Sequence, residues 1–345
     1  MIDIKVTLQG YGKNSSISQF VGNENNEFND CRFWINKEIK NPDIWFVFEN
    51  IIEEYEECDI DPKNIIFLSA ETSYNKDHYL KTPRTNFLKQ FGDIYSCYDT
   101  KIPANKDIPF LPWMINANHG ESIYAKSNKD LNYFLSLQDL KKTKTISVFC
   151  SEKNFTEGHQ KRLDFVYGLK NYFGEELDWY GNGINQLDSK WEGIAPYKYH
   201  ISLENKNMDY VISEKLFDSY LGLSFPFYSG ALNVIDYFPN NSFKKIDIHN
   251  LDRSIEIIEE CIENNLYENN KKDILYCKNL ICTELNLFNR LSSIAKISLQ
   301  ENKSTKTKAR IKNLKKFESS FKKKEDNLKK MYSFLRRIKQ ILLKK

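Results

Sequence analysis

The chain has 345 residues, of which 41% are hydrophobic and 14% aromatic, so it can bury more than one globular core and is not a disordered polymer. Its net charge of +3 hides an asymmetry, because residues 301–345 carry 17 Lys and Arg against 4 Asp and Glu, and the rest of the chain is acidic. No apolar run is long enough to span a membrane. Seven scattered cysteines without a C-x-x-C pair exclude a disulfide framework or a zinc site and predict buried thiols.

The first half of the chain alternates short apolar runs with polar turns. Its start, MIDIKVTLQGYGKN, predicts a strand that enters a turn rather than a signal peptide, so we expect a cytoplasmic protein. Further strands are predicted in residues 43–51, 64–72 and 91–99. The proline-rich segment that follows predicts an irregular connection near a domain edge.

The second half begins with another strand, TISVFCSEKN, and a helix in TEGHQKRLDFVYGLKNYFG. Apolar residues recur in this helix at steps of three and four, and Gly174 is predicted to end it. The segment LDWYGNG then predicts a strand and a turn. Two successive sets of such units predict an α/β protein with two doubly wound sheets, in which ligands bind beyond the carboxyl ends of the strands.

A charged helix entrance follows the next predicted strand, KYHISLEN. Ser213 is a candidate N-cap and Gly222 a candidate stop, which places Glu214 and Lys215 in the first turn. Backbone N–H groups and the helix dipole favour an anion at this end. A lysine there is explained if a phosphate lies beside it, although Lys215 is also compatible with an exposed, solvated turn.

Arg162 is predicted in the first turn of the helix after the strand TISVFCSEKN. It would then lie at the equivalent end of a neighbouring strand. Two cations that converge on one crevice favour a diphosphate as the ligand.

Residues 196–243, PYKYHISLENKNMDYVISEKLFDSYLGLSFPFYSGALNVIDYFPNNSF, resemble the donor-binding signature of the family 10 glycosyltransferases, the α1,3/α1,4-fucosyltransferases. That signature contains Y-K-F-x-x-x-F-E-N-S, D-Y-V-T-E-K-L, V-P-V-x-x-G and F-x-P-x-x-S-F. The spacing from Glu204 to Glu214, and on to Gly230 and Phe243, matches it without a gap. A weaker likeness upstream includes FLSAET, WYGNG and the helix start at Arg162.

The resemblance implies a GT-B fold, in which two Rossmann-like domains face each other across a cleft. We therefore expect an acceptor-side domain in residues 1–145, a nucleotide-sugar domain in residues 146–298 and a basic helical tail in residues 299–345.

The same resemblance implies roles for individual residues. Lys215 and Arg162 would bind the diphosphate of GDP-fucose, and Glu214 would bind the ribose. Glu71 would be the general base that accepts a proton from the acceptor hydroxyl. Three further residues complete the predicted donor site, namely Glu204, Asn205 and Tyr210.

Several positions depart from the family pattern. Its tyrosine three residues before the glutamate falls on Val211, with Tyr210 one position early. Lys206 replaces the usual serine, and Ala70 replaces the more usual glycine before Glu71. These departures leave open whether the donor is GDP-fucose or another nucleotide-linked deoxy sugar.

The catalytic carboxylate has alternatives nearby. Glu71 could be a solvated residue at a strand end, and Asp77, His78 and Glu121 are substitutes for the base. We expect no metal cofactor, because cationic side chains and a helix terminus can stabilise the departing diphosphate.

The basic tail has an apolar heptad stripe of Leu314, Phe317, Phe321, Leu328, Met331, Leu335, Ile338 and Leu342. Such a helix could form a homodimer, pack on the body or lie on an anionic membrane, and nucleic acid is a weaker candidate.

The favoured function is an inverting glycosyltransferase that acts on a bacterial surface glycan, such as lipopolysaccharide, at the cytoplasmic membrane face. The alternative is a nonenzymatic binding protein whose tail recruits an anionic partner. Intact residues at the predicted donor site favour the enzyme.

Overall fold

The structure is a computed structural model that describes residues 1–8, 17–72, 77–117, 127–152, 157–301 and 305–342. Within these ranges the strands form two largely parallel sheets and one antiparallel strand pair. The first sheet comes from the first half of the chain and the second sheet from the second half. This arrangement agrees with the two predicted α/β units.

The first sheet contains the strands predicted at the chain start and in residues 43–51, 64–72 and 91–99. Its strand order is β2-β3-β1-β4-β6-β7-β8, and the described pairs are parallel except β2 with β3. The elements of this half are β1 (Ile2–Leu8), α1 (Ser18–Val21), β2 (Glu27–Phe28), β3 (Cys31–Ile35), β4 (Ile44–Phe48), β5 (Tyr55–Ile60), β6 (Ile65–Leu68), α2 (Thr82–Leu88), β7 (Asp93–Ser96), β8 (Asn105–Lys106) and α3 (Leu131–Ser136).

Strand β4 shows why this sheet is covered on both faces. Ile44, Phe46 and Phe48 belong to the larger hydrophobic core, which continues into the second sheet. Trp45 and Val47 point to the opposite face and belong to a second core. Since side chains alternate along a strand and all five are buried, β4 needs a packed layer on each side.

The second sheet has the order β10-β9-β11-β12-β13, and its described pairs are parallel. The predicted helix ends at Gly174, whose φ of +53° is the left-handed conformation that glycine adopts easily. The elements are β9 (Lys144–Phe149), α4 (Glu157–Phe173), β10 (Leu177–Tyr180), β11 (Tyr197–Leu203), α5 (Glu214–Leu221), β12 (Phe225–Ser229), β13 (Lys244–Lys245), α6 (Leu251–Glu263), α7 (Leu266–Asn269) and α8 (Lys271–Cys282).

The final elements return to the first sheet, which differs from the predicted division at residue 298. They are α9 (Leu287–Glu301), β14 (Thr307–Lys312) and α10 (Leu314–Leu342). At the start of α9, Asn286 donates to the Phe20 carbonyl at 2.8 Å, and Arg290 donates to the carbonyls of Ile108 and Pro109. Strand β14 pairs antiparallel with β5. Residues from α9 onward therefore belong structurally with the first sheet.

The predicted tail is only partly a free amphipathic helix. Ala309 and Ile311 on β14 are buried in the second core, as is Leu314 at the start of α10. Phe317 contacts Phe87 of α2, with 6.1 Å between the ring centres. The described part of the chain contains no helix that is long and apolar enough to cross a membrane.

The seven cysteines are buried free thiols, as the sequence predicts. Burial raises the pKa of the Cys97 thiol to about 12, so this group stays protonated at neutral pH.

The carboxyl ends of the two sheets face each other across a cleft. Glu71 and Thr72 follow β6 in the first sheet, and Asn205 follows β11 in the second. The Asn205 side-chain amide donates to the Thr72 hydroxyl at 3.2 Å, which joins the two domains directly. The GT-B arrangement expected from the sequence is confirmed.

Candidate active site

The second sheet has a topological switch point between β9 and β11. The chain leaves β9 for β10 on one side and returns to β11 on the other. Ligands of open parallel sheets bind in the crevice at such a point, beyond the carboxyl ends of the strands. Arg162, in the second turn of α4, reaches this crevice and donates from Nη1 to the Leu203 carbonyl at 3.3 Å.

The entrance of α5 is built around the buried carboxylate of Glu204. Its two oxygens accept hydrogen bonds from the Ser213 backbone N–H and hydroxyl, each at 2.7 Å. Ser213 is the N-cap of α5, as predicted, and its Oγ accepts from the Lys215 N–H. The Glu204 side chain is 0% exposed, and it supports the helix entrance through these hydrogen bonds.

Lys215 lies between two carboxylates. Its Nζ is 2.9 Å from Glu214 Oε1 and 3.9 Å from Glu204 Oε2. Burial alone would lower the pKa of Lys215, but Glu214 and Glu204 outweigh it and raise that pKa. The ammonium is therefore charged at any physiological pH, and its side chain keeps 25% exposure through which an anion can reach it.

Glu214 is ionised for a related reason. Burial alone would raise its carboxyl pKa, but the ammonium groups of Lys215 and Lys190 lower it to about 2. A carboxylate fixed in this form is an acceptor for ribose hydroxyl groups.

Lys190 and Asp218 belong to the same charged cluster, although the sequence analysis did not identify them as site residues. Their side chains form an ion pair at 2.8 Å. Asp218 Oδ1 also accepts the Met114 N–H at 2.8 Å, which ties α5 to the segment between the domains. The sequence signal for Asp218 is weak, because a charged residue in the middle of an amphipathic helix usually faces solvent.

Gly230, which follows β12, allows this packing. A Cβ atom at this position would lie 2.5 Å from Glu204 Cγ and 2.3 Å from the Tyr228 hydroxyl. Any side chain would therefore displace the carboxylate that supports the helix entrance. This contact explains why a glycine follows the apolar strand here.

On the opposite side of the cleft, the backbone of Glu71 is held by Glu49. Glu49 follows β4 with a φ of +61°, and its Oε1 accepts from the N–H groups of Ala70 at 2.8 Å and Glu71 at 3.1 Å. The Tyr79 hydroxyl donates to the same carboxylate at 2.6 Å, and Arg84 pairs with it at 3.3 Å. Burial raises the pKa of the Glu49 carboxyl, while Arg84 and Tyr79 oppose this shift.

Sequence reasoning missed Glu49, although a signal was present. A glutamate directly after a fully apolar strand in the first half of the chain falls at the same sheet edge as Glu71. What the sequence does not contain is the left-handed backbone that turns the carboxylate toward β6.

The substitutes for Glu71 have different environments. Asp77 is exposed and precedes a short 3-10 helix, His78–Leu80. His78 Nε2 is 2.7 Å from Arg84 Nη2, and burial together with Arg84 lowers the pKa of His78 to about 4. His78 is therefore a weak base at neutral pH. Glu121 lies outside the described residues.

The remaining predicted donor residues turn toward the first domain. Asn205 contacts Thr72, as described above, and Tyr210 packs against the second core. Tyr210 has a φ of +66°, and its N–H donates to Asn233 Oδ1 at 2.8 Å. The structure therefore brings Arg162, Glu204, Glu214 and Lys215 together and places Asn205 and Tyr210 at the interdomain contact.

A metal site is not apparent among these residues. Within the described ranges, no group of three or more His, Cys, Asp or Glu side chains is arranged to hold a metal ion.

Comparisons with known proteins agree with this geometry. Residues 140–271 match the family model of the glycosyltransferase family 10 (fucosyltransferase) C-terminal domain. A search of curated proteins finds no match.

The chain is also similar to solved structures of α1,3-fucosyltransferase. The structure with GDP has a TM-score of 0.50 at 18% identity, with 88% of this chain and 91% of that chain covered. Another structure of α1,3-fucosyltransferase has a TM-score of 0.49 at 18% identity, covering 88% and 90%. At this identity the first likeness shows a shared GT-B fold, and the family match covers the domain that contains the charged crevice. Residues 140–271 therefore match the C-terminal domain of glycosyltransferase family 10, and the chain is a glycosyltransferase.

Proposed function

We propose that this glycosyltransferase is an inverting fucosyltransferase that uses GDP-fucose. The observation that carries the proposal is the entrance of α5, where Lys215 stands between Glu214 and Glu204 beside Arg162. The matching family is described as fucosyltransferases, and the similar solved structure contains GDP. A cationic crevice at a switch point is the expected site for a nucleotide diphosphate.

In this mechanism, Lys215 and Arg162 would bind the diphosphate. The Arg162 Nε is buried and has no hydrogen-bond acceptor among the described residues, so the guanidinium retains a donor for a phosphate oxygen. Glu214 would accept hydrogen bonds from the ribose hydroxyl groups. The two cations stabilise the negative charge that develops on the diphosphate as its bond to the sugar breaks.

Glu71 would be the catalytic base. It would take the proton from an acceptor hydroxyl while the acceptor oxygen bonds to the anomeric carbon and GDP departs from the opposite face, which inverts the configuration. Glu49 would fix the position of Glu71 through its backbone N–H, since the hydrogen bond of 3.1 Å anchors the turn after β6.

For the acceptor, we infer a bacterial surface glycan that is modified at the cytoplasmic face of the membrane. The support is the excess of positive charge after residue 301, which favours contact with anionic lipids, or with a second copy through the apolar stripe. Another nucleotide-linked sugar is the alternative donor, because Val211 replaces the family tyrosine and is fully buried.

The deciding experiment is a thermal-shift screen of nucleotides and nucleotide sugars, followed by a transfer assay with GDP-fucose. We expect GDP and GDP-fucose to raise the melting temperature, and UDP to do so less. Transfer of labelled fucose to a glycan acceptor, with the anomeric configuration determined by NMR, should give the inverted product. A folded protein that binds no nucleotide diphosphate at millimolar concentration would show the proposal to be wrong.

A further inference from the structure

The side chain of Lys206 crosses from the donor domain into the cleft. It lies two residues after Glu204, and its neighbour Asn205 bonds to Thr72 of the first domain. Lys206 Nζ lies 5.3 Å from the centre of the Tyr98 ring, a distance typical of a cation–π contact. The ammonium is therefore held on the first domain although its backbone belongs to the second.

This ammonium is buried without an acceptor. Among the described residues, Lys206 Nζ has almost no solvent exposure and no hydrogen-bond partner. Lysine side chains usually extend their charged ends to water, and a buried charge without a partner is costly. Burial lowers the pKa of Lys206, while Cys97 and Glu71 oppose the shift. The free-energy cost of burying this unpaired ammonium is explained if a ligand supplies the missing acceptor.

The missing acceptor is not the diphosphate of the donor. The Tyr98 ring that Lys206 Nζ contacts lies in the first domain, as do Glu71 and His78, with which its charge interacts. Lys215 instead interacts with Glu214, Glu204 and Arg162 in the second domain. Lys206 therefore faces the acceptor side of the cleft.

Among the described residues on that side, cations outnumber the carboxylates that act on them. Arg84 is compensated by the buried carboxylate of Glu49. Lys81 and Lys206 act with Arg84 on His78, which burial and these cations keep neutral. Glu71 is the carboxylate that acts on Lys206, and in the proposed function it must accept a proton during transfer. Once Glu71 is protonated, its negative charge no longer acts on Lys206, and an anionic group of the bound acceptor would supply the charge that is then missing.

We propose that Lys206 is a specificity-determining residue that binds a carboxylate of an acidic acceptor sugar. This inference rests on the proposed function and adds the substrate class to it. The charged hydrogen bond would place the acidic sugar beside Glu71 and favour acidic acceptors over neutral ones of the same shape.

The experiment compares two matched pairs of disaccharide acceptors. One pair ends in galactose or in galacturonate, and the other ends in glucose or in glucuronate; the uronate is the acidic member of each pair. With the unaltered protein, we expect kcat/KM for the acidic member of at least one pair to exceed that for the neutral member by about tenfold or more. Lys206→Met keeps the apolar stem but removes the charge and should abolish this preference. Lys206→Arg should retain most of it.

Lys81→Met is the matched control, because Lys81 is an exposed cation that also acts on His78. We expect it to keep the preference, which separates a direct contact from a general positive field. The affinity for GDP, measured by calorimetry, should not change in Lys206→Met. Equal use of both members of every pair, or a loss of GDP affinity in Lys206→Met, would overturn the inference.

Failure of the proposed function has a different signature. In that case the unaltered protein would transfer fucose to no member of any pair. The anion site is then tested without turnover. Saturation-transfer NMR measures the binding of glucuronate and of glucose to the GDP-loaded protein. A glucuronate signal that Lys206→Met removes supports the site, and identical signals from the two sugars refute it.

Discussion

Single charged side chains determine what the crevice can bind, and Lys215 is the central one. Its ammonium is paired with Glu214 at 2.9 Å, and its side chain keeps 25% exposure. The pair keeps the ammonium in place before any ligand arrives. This is preorganisation of a binding site by a short ion pair, which reduces the conformational freedom lost on binding.

We expect Lys215→Ala to weaken GDP binding by about 1.5–3 kcal/mol, roughly tenfold to hundredfold, because it removes a charge-assisted contact. Isothermal titration calorimetry measures this directly. Lys198→Ala is the control, since Lys198 lies at the other end of β11 and pairs with Glu268 at 3.2 Å. Equal GDP affinity in the two variants would remove Lys215 from the donor site.

Substitution of Glu71 should affect turnover but not GDP binding, whereas substitution of Lys215 affects GDP binding. Glu71→Gln keeps the size of the side chain but cannot accept a proton, so we expect kcat to fall by about a hundredfold or more with unchanged GDP affinity. Asp77→Asn is the control and should retain turnover, because Asp77 is exposed at the start of a 3-10 helix. If Asp77→Asn is the inactive variant instead, the base is Asp77.

At the scale of elements, the strands and helices around the crevice were predictable, whereas their side-chain partners were not. Ser213 as an N-cap and Gly174 as a stop are local signals, because each depends on a few neighbouring residues. The support that Glu204 gives to the helix entrance was not predictable, because its contact with the Ser213 backbone is not visible in the sequence. Contacts between distant residues decide such roles.

Strand β14 illustrates the same limit. Three of the six residues in TKARIK are Lys or Arg, and the sequence predicts a basic helix here. Only Ala309 and Ile311 face inward, and the strand exists through its pairing with β5. Strand propensity depends strongly on such context, which a single sequence does not show.

A pair of truncations tests the structural role of this segment. Removing the residues after 306 should lower the free energy of unfolding by about 2–5 kcal/mol, because it uncovers the second core at Ile311 and Leu314. Removing only the residues after 321 should leave stability nearly unchanged, since β14 and Phe317 remain. Urea unfolding followed by tryptophan fluorescence gives both values. Equal stability of the two shortened proteins would mean that β14 contributes little.

The exposed part of α10 has a separate expected role. Leu328 and Met331 are 41% and 48% exposed on a helix rich in lysine. We expect the protein truncated after residue 321 to lose either sedimentation with anionic vesicles or its oligomeric state. Raising the salt from 0.1 to 0.5 M should weaken lipid attraction, because the Debye length contracts from about 10 Å, whereas an apolar helix contact persists. A full-length protein that does neither would leave α10 without this role.

For the whole molecule, folding is linked to pH through buried histidine. His200 lies on β11 beneath the crevice, and its Nδ1 is 2.8 Å from the Ser147 hydroxyl, which donates to the Gly193 carbonyl. Burial, with smaller contributions from Lys190 and Lys142, lowers the pKa of His200 to about 3. The imidazole therefore stays neutral in the folded protein at pH values where it would be charged in the unfolded chain.

The sign of the effect follows from proton binding. Below about pH 6.5 the unfolded chain binds a proton at residue 200 and the folded protein does not, so acid favours unfolding. Stability that is present above pH 6.5 should be lost at about 1.4 kcal/mol per pH unit as the pH falls toward 3. In His200→Asn, whose amide can replace the Nδ1–H donor to Ser147, this contribution is absent. We therefore expect urea unfolding between pH 7 and pH 4.5 to show a smaller loss of unfolding free energy per pH unit for the variant. The difference in slope should be about 1.4 kcal/mol per pH unit, since the buried carboxyls contribute equally to both proteins. Parallel curves would mean that His200 is already accessible to protons in the folded protein and that the layer between β11 and the crevice is not sealed.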